Sequence, residues 1–107
     1  MDISIVKKDG RREAFDRDKI LKGVLRACEK RPIKRDKIDQ LVSKLEQQVR
    51  QMDKTEIKSK KIGMMIMDEL RKIDEVAYVR FASVYKKFRD TAQFVDVINT
   101  LKTEVKP

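Results

Sequence analysis

At 107 residues the chain suffices for one domain with one modest core. Its hydrophobic content of 40% is ordinary, while 42% charged lies well above the usual quarter; apolar residues recur periodically, which argues for a charged surface rather than disorder. No run approaches the roughly 18 to 20 apolar residues needed to span a bilayer, and no apolar signal segment follows Met1, so a soluble, cytoplasmic protein without membrane contact is expected. The formal charge is +9, and residues 1–35 hold most of it, with 12 Lys/Arg against 6 Asp/Glu. Such a field attracts phosphate, whether on a nucleotide or on nucleic acid. Cys28 is the single cysteine, which excludes an intrachain disulfide and a Cys-based zinc site; the lack of histidine removes the commonest general base and metal ligand.

In chain order, Ile3 to Lys8 is a β-branched run that reads as a strand. Asp9-Gly10 signals a two-residue type I′ hairpin, in which both central residues take positive φ. Arg11 to Phe15 returns as the second strand. Asp16 is suited to cap a helix whose Ile20, Leu21, Val24, Leu25 and Cys28 share a face. This helix is predicted to run to about Lys30, since Pro32 disfavours helix at Arg31. Ile38, Leu41, Val42, Leu45 and Val49 predict a second helix over Arg35 to Gln51. Thr55 to Ile57 reads as a short extended piece. Ser59 is placed to cap a third helix with Ile62, Met65, Ile66 and Leu70 inward. Asp74 is placed to cap a fourth, lined by Ala77, Phe81, Val84, Tyr85 and Phe88. Phe94, Val97, Ile98, Leu101 and Val105 predict a fifth near residues 91–104. The fold class is therefore α+β: a β-hairpin, or three strands if 55–57 joins it, against four to five helices.

Nothing in this inventory builds an enzyme. No nucleophile–base pair can be assembled around histidine, and no Gly-x-x-x-x-Gly-Lys-Ser/Thr loop occurs. The basic hairpin is the candidate binding site. Lys7 and Lys8 are consecutive on a strand, so their side chains start on opposite faces, and the same alternation divides Arg11 from Arg12. Lys19 lies near the third residue of a helix, where a cation opposes the macrodipole by about 0.3–1 kcal/mol. An anion held there reverses that penalty; neutralisation by Asp16 and Asp18 is the structural alternative. Glu13 suits an adenine amino group or a nearby arginine.

The string Val6-Lys7-Lys8-Asp9-Gly10-Arg11-Arg12-Glu13, followed by Lys19-Ile20, resembles the signature of the ATP-cone family, a regulatory nucleotide-binding module of ribonucleotide reductases and of their transcriptional repressor. The resemblance implies nucleotide-site roles for Lys7, Lys8, Glu13, Lys19 and Ile20, and for Ser59 at the start of the third helix. Val6 and Arg11, members of the same string, complete the candidate set. Some reductase cones carry an Asp where this chain has Gly63. Leu25 to Pro32 and Asp74 to Lys86 resemble the NrdR-type repressors more than the reductases' own cones. Residues 1–90 are then expected to form the cone and 91–107 a C-terminal helix and tail.

By this resemblance the chain is a non-catalytic sensor of ATP and dATP that signals through homo-oligomerisation, with Mg²⁺ an allowed companion of the nucleotide. The Cys-x-x-Cys pairs of the repressors' zinc ribbon do not occur in this chain, so no zinc is expected and DNA contact should be indirect or weak. The alternative is a stand-alone basic module that binds nucleic acid, or a reductase or repressor in trans.

Overall fold

A computed structural model describes residues 2–86, 95, 97–99 and 101. Its described elements are β1 (Ser4–Val6), β2 (Arg12–Ala14), α1 (Arg17–Ala27), α2 (Arg35–Gln51), β3 (Glu56–Lys58), α3 (Ser59–Ile73) and α4 (Glu75–Lys86). Residues 95, 97–99 and 101 are also helical, within the predicted fifth helix; Phe88, Phe94 and Val105 lie outside the described residues.

The sheet has the order β2-β1-β3, antiparallel between β1 and β2 and parallel between β1 and β3. Ile5 stands opposite Glu13 on one side and Ile57 on the other. Cross-strand partners share a face, so Glu13 lies on the face that carries the buried Ile5 and Ile57. Two residues beyond Ile5, Lys7 begins on that face as well. The third strand forms, shifted one residue from the predicted 55–57.

The turn differs from expectation. Gly10 has φ 89°, but Asp9 is not in the left-handed region. The Lys7 N–H donates to the Arg11 carbonyl at 2.8 Å and the Gly10 N–H to the Lys7 carbonyl at 3.0 Å, which closes a three-residue loop, Lys8 to Gly10. Asp9 Oδ1 accepts from the Arg11 N–H at 3.1 Å, an alternative local bond that lets Asp9 keep negative φ.

Asp16 caps α1 as its residue type predicts, accepting from the N–H groups of Asp18 and Lys19. The helix stops at Ala27 rather than Lys30. Cys28 folds its N–H back to Val24 and Leu25, and Lys30 enters the left-handed region at φ 59°. A distant side chain satisfies the freed carbonyls: Arg80 Nη1 donates to Glu29 O at 2.6 Å and Ala27 O at 3.3 Å. In contrast, α2 has the predicted bounds and buries the whole predicted stripe, Ile38, Leu41, Val42, Leu45 and Val49. Asp53 (φ 53°) then turns the chain toward β3.

Helices α3 and α4 form an antiparallel pair joined at Asp74, which caps α4 by accepting from the Ala77 N–H at 2.9 Å. Ile62, Ile66, Met67 and Leu70 of α3 meet Ala77, Tyr78 and Ala82 of α4 in the common core, with Val97 and Leu101. Val84 departs from prediction: it is 73% exposed, while Tyr78 and Ala82 take the inward positions. Helix α4 is apolar on several sides, so periodicity alone does not single out its buried face.

Candidate functional site

Three of the candidate residues, Lys7, Glu13 and Lys19, come together at the hairpin end of the sheet. Strand β2 leads through the Asp16 cap into α1, and a side chain of the first turn of α1 reaches back to Glu13. Lys19 Nζ donates to Glu13 Oε2 at 2.8 Å, and Lys7 Nζ approaches the same oxygen at 3.6 Å. One carboxylate thus bridges two lysines from different elements. Lys19 is 63% exposed, Lys7 30% and Glu13 36%, so the cluster is open to solvent. The hydrogen bond from Lys19, with help from the charge of Lys7, holds the Glu13 carboxyl below its ordinary range despite partial burial. It is therefore ionised at neutral pH. The expected partners differ in detail: Glu13 pairs with lysines rather than an arginine, and Lys19 with Glu13 rather than Asp16 or Asp18. Asp16 has its cap to serve.

The other candidates divide. Lys8 is exposed on the loop. Arg11 turns back to Asp9, Nε to Oδ2 at 2.7 Å, and this contact with the Arg11 N–H bond keeps Asp9 ionised below its usual range. Val6 is half-buried, and Ile20 packs against the core, where both can shape a wall but not carry charge. Ser59 does not cap α3. Lys58 is the cap residue, without a side-chain bond, and Ser59 is the first helical residue. Because Lys58 stands opposite Val6 in the parallel pair, the start of α3 lies beside the start of the hairpin loop.

Two features here escape the sequence reading. The first turn of α3 contains no acid, and Lys58, Lys60 and Lys61 are exposed with no ion pair among the described residues. Three cations around the positive end of a helix dipole make this a stronger demand for an anion than Lys19, which already has a carboxylate. The signal was legible: Lys-Ser-Lys-Lys opening an apolar-striped helix. The second feature is Tyr85. A Cβ at Gly63 would collide with the Tyr85 ring, and the Tyr85 hydroxyl donates to the Ser59 carbonyl at 3.2 Å. The ring fills the space that an Asp at 63 would need, so the departure at Gly63 and the tyrosine on α4 form one packing unit.

Cavity shape does not mark this site. A cleft of about 330 Å³ is lined by Asp2, Ser4, Arg12, Glu13 and Arg50 among others, without Lys7, Lys19 or Ser59. Its Arg12 is already paired with Glu56 at 2.7 Å. A phosphate needs donors more than enclosure, and the lysines supply them.

The strings Leu25 to Pro32 and Asp74 to Lys86 have another part. They meet along the seam between α1 and α4, through Arg31 on Asp74 at 3.1 Å and Arg80 on the carbonyls ending α1. Cys28 is buried there, and burial together with the Asp74 charge pushes its thiol up, against the opposing pull of Arg80. A protonated, buried thiol is inert.

Known proteins resemble this chain over most of its length. The family described as ATP cone domain matches residues 3–91. The transcriptional repressor NrdR of Kosmotoga olearia is 55% identical over 104 residues, covering 97% of this chain and 66% of the relative. The proteins of that name from Thermotoga neapolitana and Myxococcus xanthus are 49% and 55% identical, over 95% and 92% of this chain and 65% and 58% of theirs. The chain thus spans about two thirds or less of the length of these curated relatives. With the family model matching residues 3–91, which include every strand and helix from β1 to α4, the chain belongs to the ATP-cone family.

Proposed function

We propose that this domain binds ATP and dATP as regulatory ligands between the hairpin, α1 and the start of α3, and reports the bound nucleotide through self-association without acting on it chemically. The observation that carries this reading is the pair Lys7–Lys19 gathered on one replaceable carboxylate beside the basic opening of α3. Phosphates would take Lys7 and Lys19, with the free N–H groups near Ser59 as further donors. Among the described residues no cluster of acids could hold a metal, so an accompanying Mg²⁺ would be held by the phosphates. Exposed Met64 and Val84, on α3 and α4, offer apolar surface for association. In a longer protein of the NrdR kind, such a domain would govern repression of ribonucleotide reductase genes, while residues 1–90 serve as the cone and 91–107 as a C-terminal extension.

Thermal unfolding with ATP, dATP and GTP tests the reading. A ligand at 100-fold its Kd should add about 2.7 kcal/mol. Lys7→Ala with Lys19→Ala should abolish the shift while far-UV circular dichroism stays intact. Absence of any shift with adenine nucleotides at millimolar concentration refutes the reading. Sedimentation with ATP and with dATP tests the output, which requires different masses.

A further inference from the structure

We propose that the outer face of α1 is a docking surface for the phosphate backbone of duplex DNA, built from Lys22, Arg26 and Lys30 and completed by Arg80 of α4. It lies apart from the hairpin mouth and does not rest on the nucleotide reading. Three observations carry it. Lys22 and Arg26 stand four residues apart on α1, about 6 Å along its axis, across the helix from the fully buried Val24. Lys30, a further four residues on, takes the left-handed turn that ends the helix, and all three residues are exposed. Next, none of the three has an ion pair among the described residues. Arg80 joins them at the end of α1 by donating to the Glu29 carbonyl at 2.6 Å and the Ala27 carbonyl at 3.3 Å, neutral partners that leave its charge uncancelled. Against these four cations stand two exposed acids, Asp18 one turn before Lys22 and Glu29 beside Lys30. Finally, the fold gains nothing from the spacing. Like charges four apart weaken a helix, and the dipole favours Arg26 in the last turn but not Lys22 in the middle.

The chemistry of the face selects its occupant. A convex helix face with lysine and arginine at its centre has nothing apolar to insert into a lipid surface, and it lacks the buried anchor of a protein interface. Duplex DNA carries one negative charge per about 1.7 Å of its axis, so a row about 12 Å long meets several phosphates at once. Contacts of this kind hold a protein on the duplex without reading its bases.

Fluorescence anisotropy of a labelled duplex of arbitrary sequence, titrated with the full chain between about 50 and 200 mM salt, tests this. The wild type should bind weakly, with log K falling against log salt at a slope of about −3 to −4, the value for three or four phosphates. Lys22→Ala with Arg26→Ala should lower affinity about ten-fold at the low-salt end and make the slope shallower by about 2. Lys22→Gln with Arg26→Gln should reproduce that loss, and Tm checks that both pairs fold. Lys37→Ala with Lys54→Ala removes the same charge from exposed, unpaired positions elsewhere and should change affinity less than about three-fold. Equal losses in the α1 pairs and in this control reduce the binding to net charge and overturn the proposal. So does a wild type that leaves the duplex unbound at about 50 mM salt, or that binds vesicles of anionic lipid as tightly as the duplex.

Discussion

The seam between α1 and α4 and the mouth at the hairpin both consist of charged residues brought together from distant elements, yet they are built to opposite ends. In the seam Arg31, Asp74 and Arg80 each have an internal partner. Asp74, 8% exposed, accepts from Arg31 and from the Ala77 N–H, and Arg80 closes the carbonyls at the end of α1. In the mouth, two lysines share one carboxylate, and three more stand exposed around the N-terminus of α3. A satisfied, partly buried network contributes rigidity and a unique arrangement. An exposed and incompletely neutralised cluster contributes little stability and remains available to a ligand. Charge density therefore does not distinguish site from scaffold in this chain; the degree of internal pairing does.

The contrast can be broken most forcefully at Asp74. Asp74→Ala removes the cap of α4 and strands Arg31, and should cost about 2–3 kcal/mol. The loss should appear as a fall of roughly 10–20 °C in Tm. Nucleotide affinity of the protein still folded should be unchanged, as measured by titration well below that Tm.

Next in size is the packing unit that joins seam to mouth. Gly63→Ala should cost about 1–2 kcal/mol, because the Tyr85 ring must move. In a Tyr85→Ala background most of that penalty should vanish, and urea titration of the four-protein cycle measures the coupling. Additive costs would mean that the ring and position 63 are independent.

Acid provides a subtler test. Burial alone would raise the Asp74 carboxyl, but the Ala77 N–H and Arg31 outweigh it and hold it below the ordinary 3.8. For a carboxyl depressed in the folded state, the stabilisation is fully present above the unfolded value and is lost as pH falls through the folded one. Stability should therefore hold steady above about pH 5 and decline below about pH 4. Asp74→Asn should flatten that decline, as followed by Tm against pH. Glu69, held low by Lys44 and Lys72 against its own burial, should leave a residual slope.

The smallest expected effect on the free protein comes from the mouth itself. Lys7→Ala with Lys19→Ala should leave Tm within about 2 °C without nucleotide, since both lysines are solvent-exposed at least in part. A large loss would make the cluster scaffold and erase the contrast with the seam.

How far the chain could be read in advance follows the same division. Helix α2 was legible in full, because five apolar residues on one stripe fix both its length and its buried face. The caps at Asp16 and Asp74 were legible from residue type and spacing. The end of α1 was not: Arg80, 51 residues from Glu29, supplies the donor that permits an early stop. The turn was misread because Asp9 had a side-chain bond to Arg11 as an alternative to positive φ. At the candidate site, the string from Val6 to Ile20 did not separate Lys7 and Lys19, which share Glu13, from Arg11, which pairs with Asp9.

By itself, then, the sequence determined where helices and hairpin lie, the excess of positive charge and the family. These follow from periodicity, capping and local strings, all of which act over a few residues. Only the tertiary structure decided which charges are quenched and which are free. Arg31 finds Asp74 across 43 positions, and Lys19 on α1 finds Glu13 on β2. Pairing depends on distances between elements, and no local pattern contains those distances.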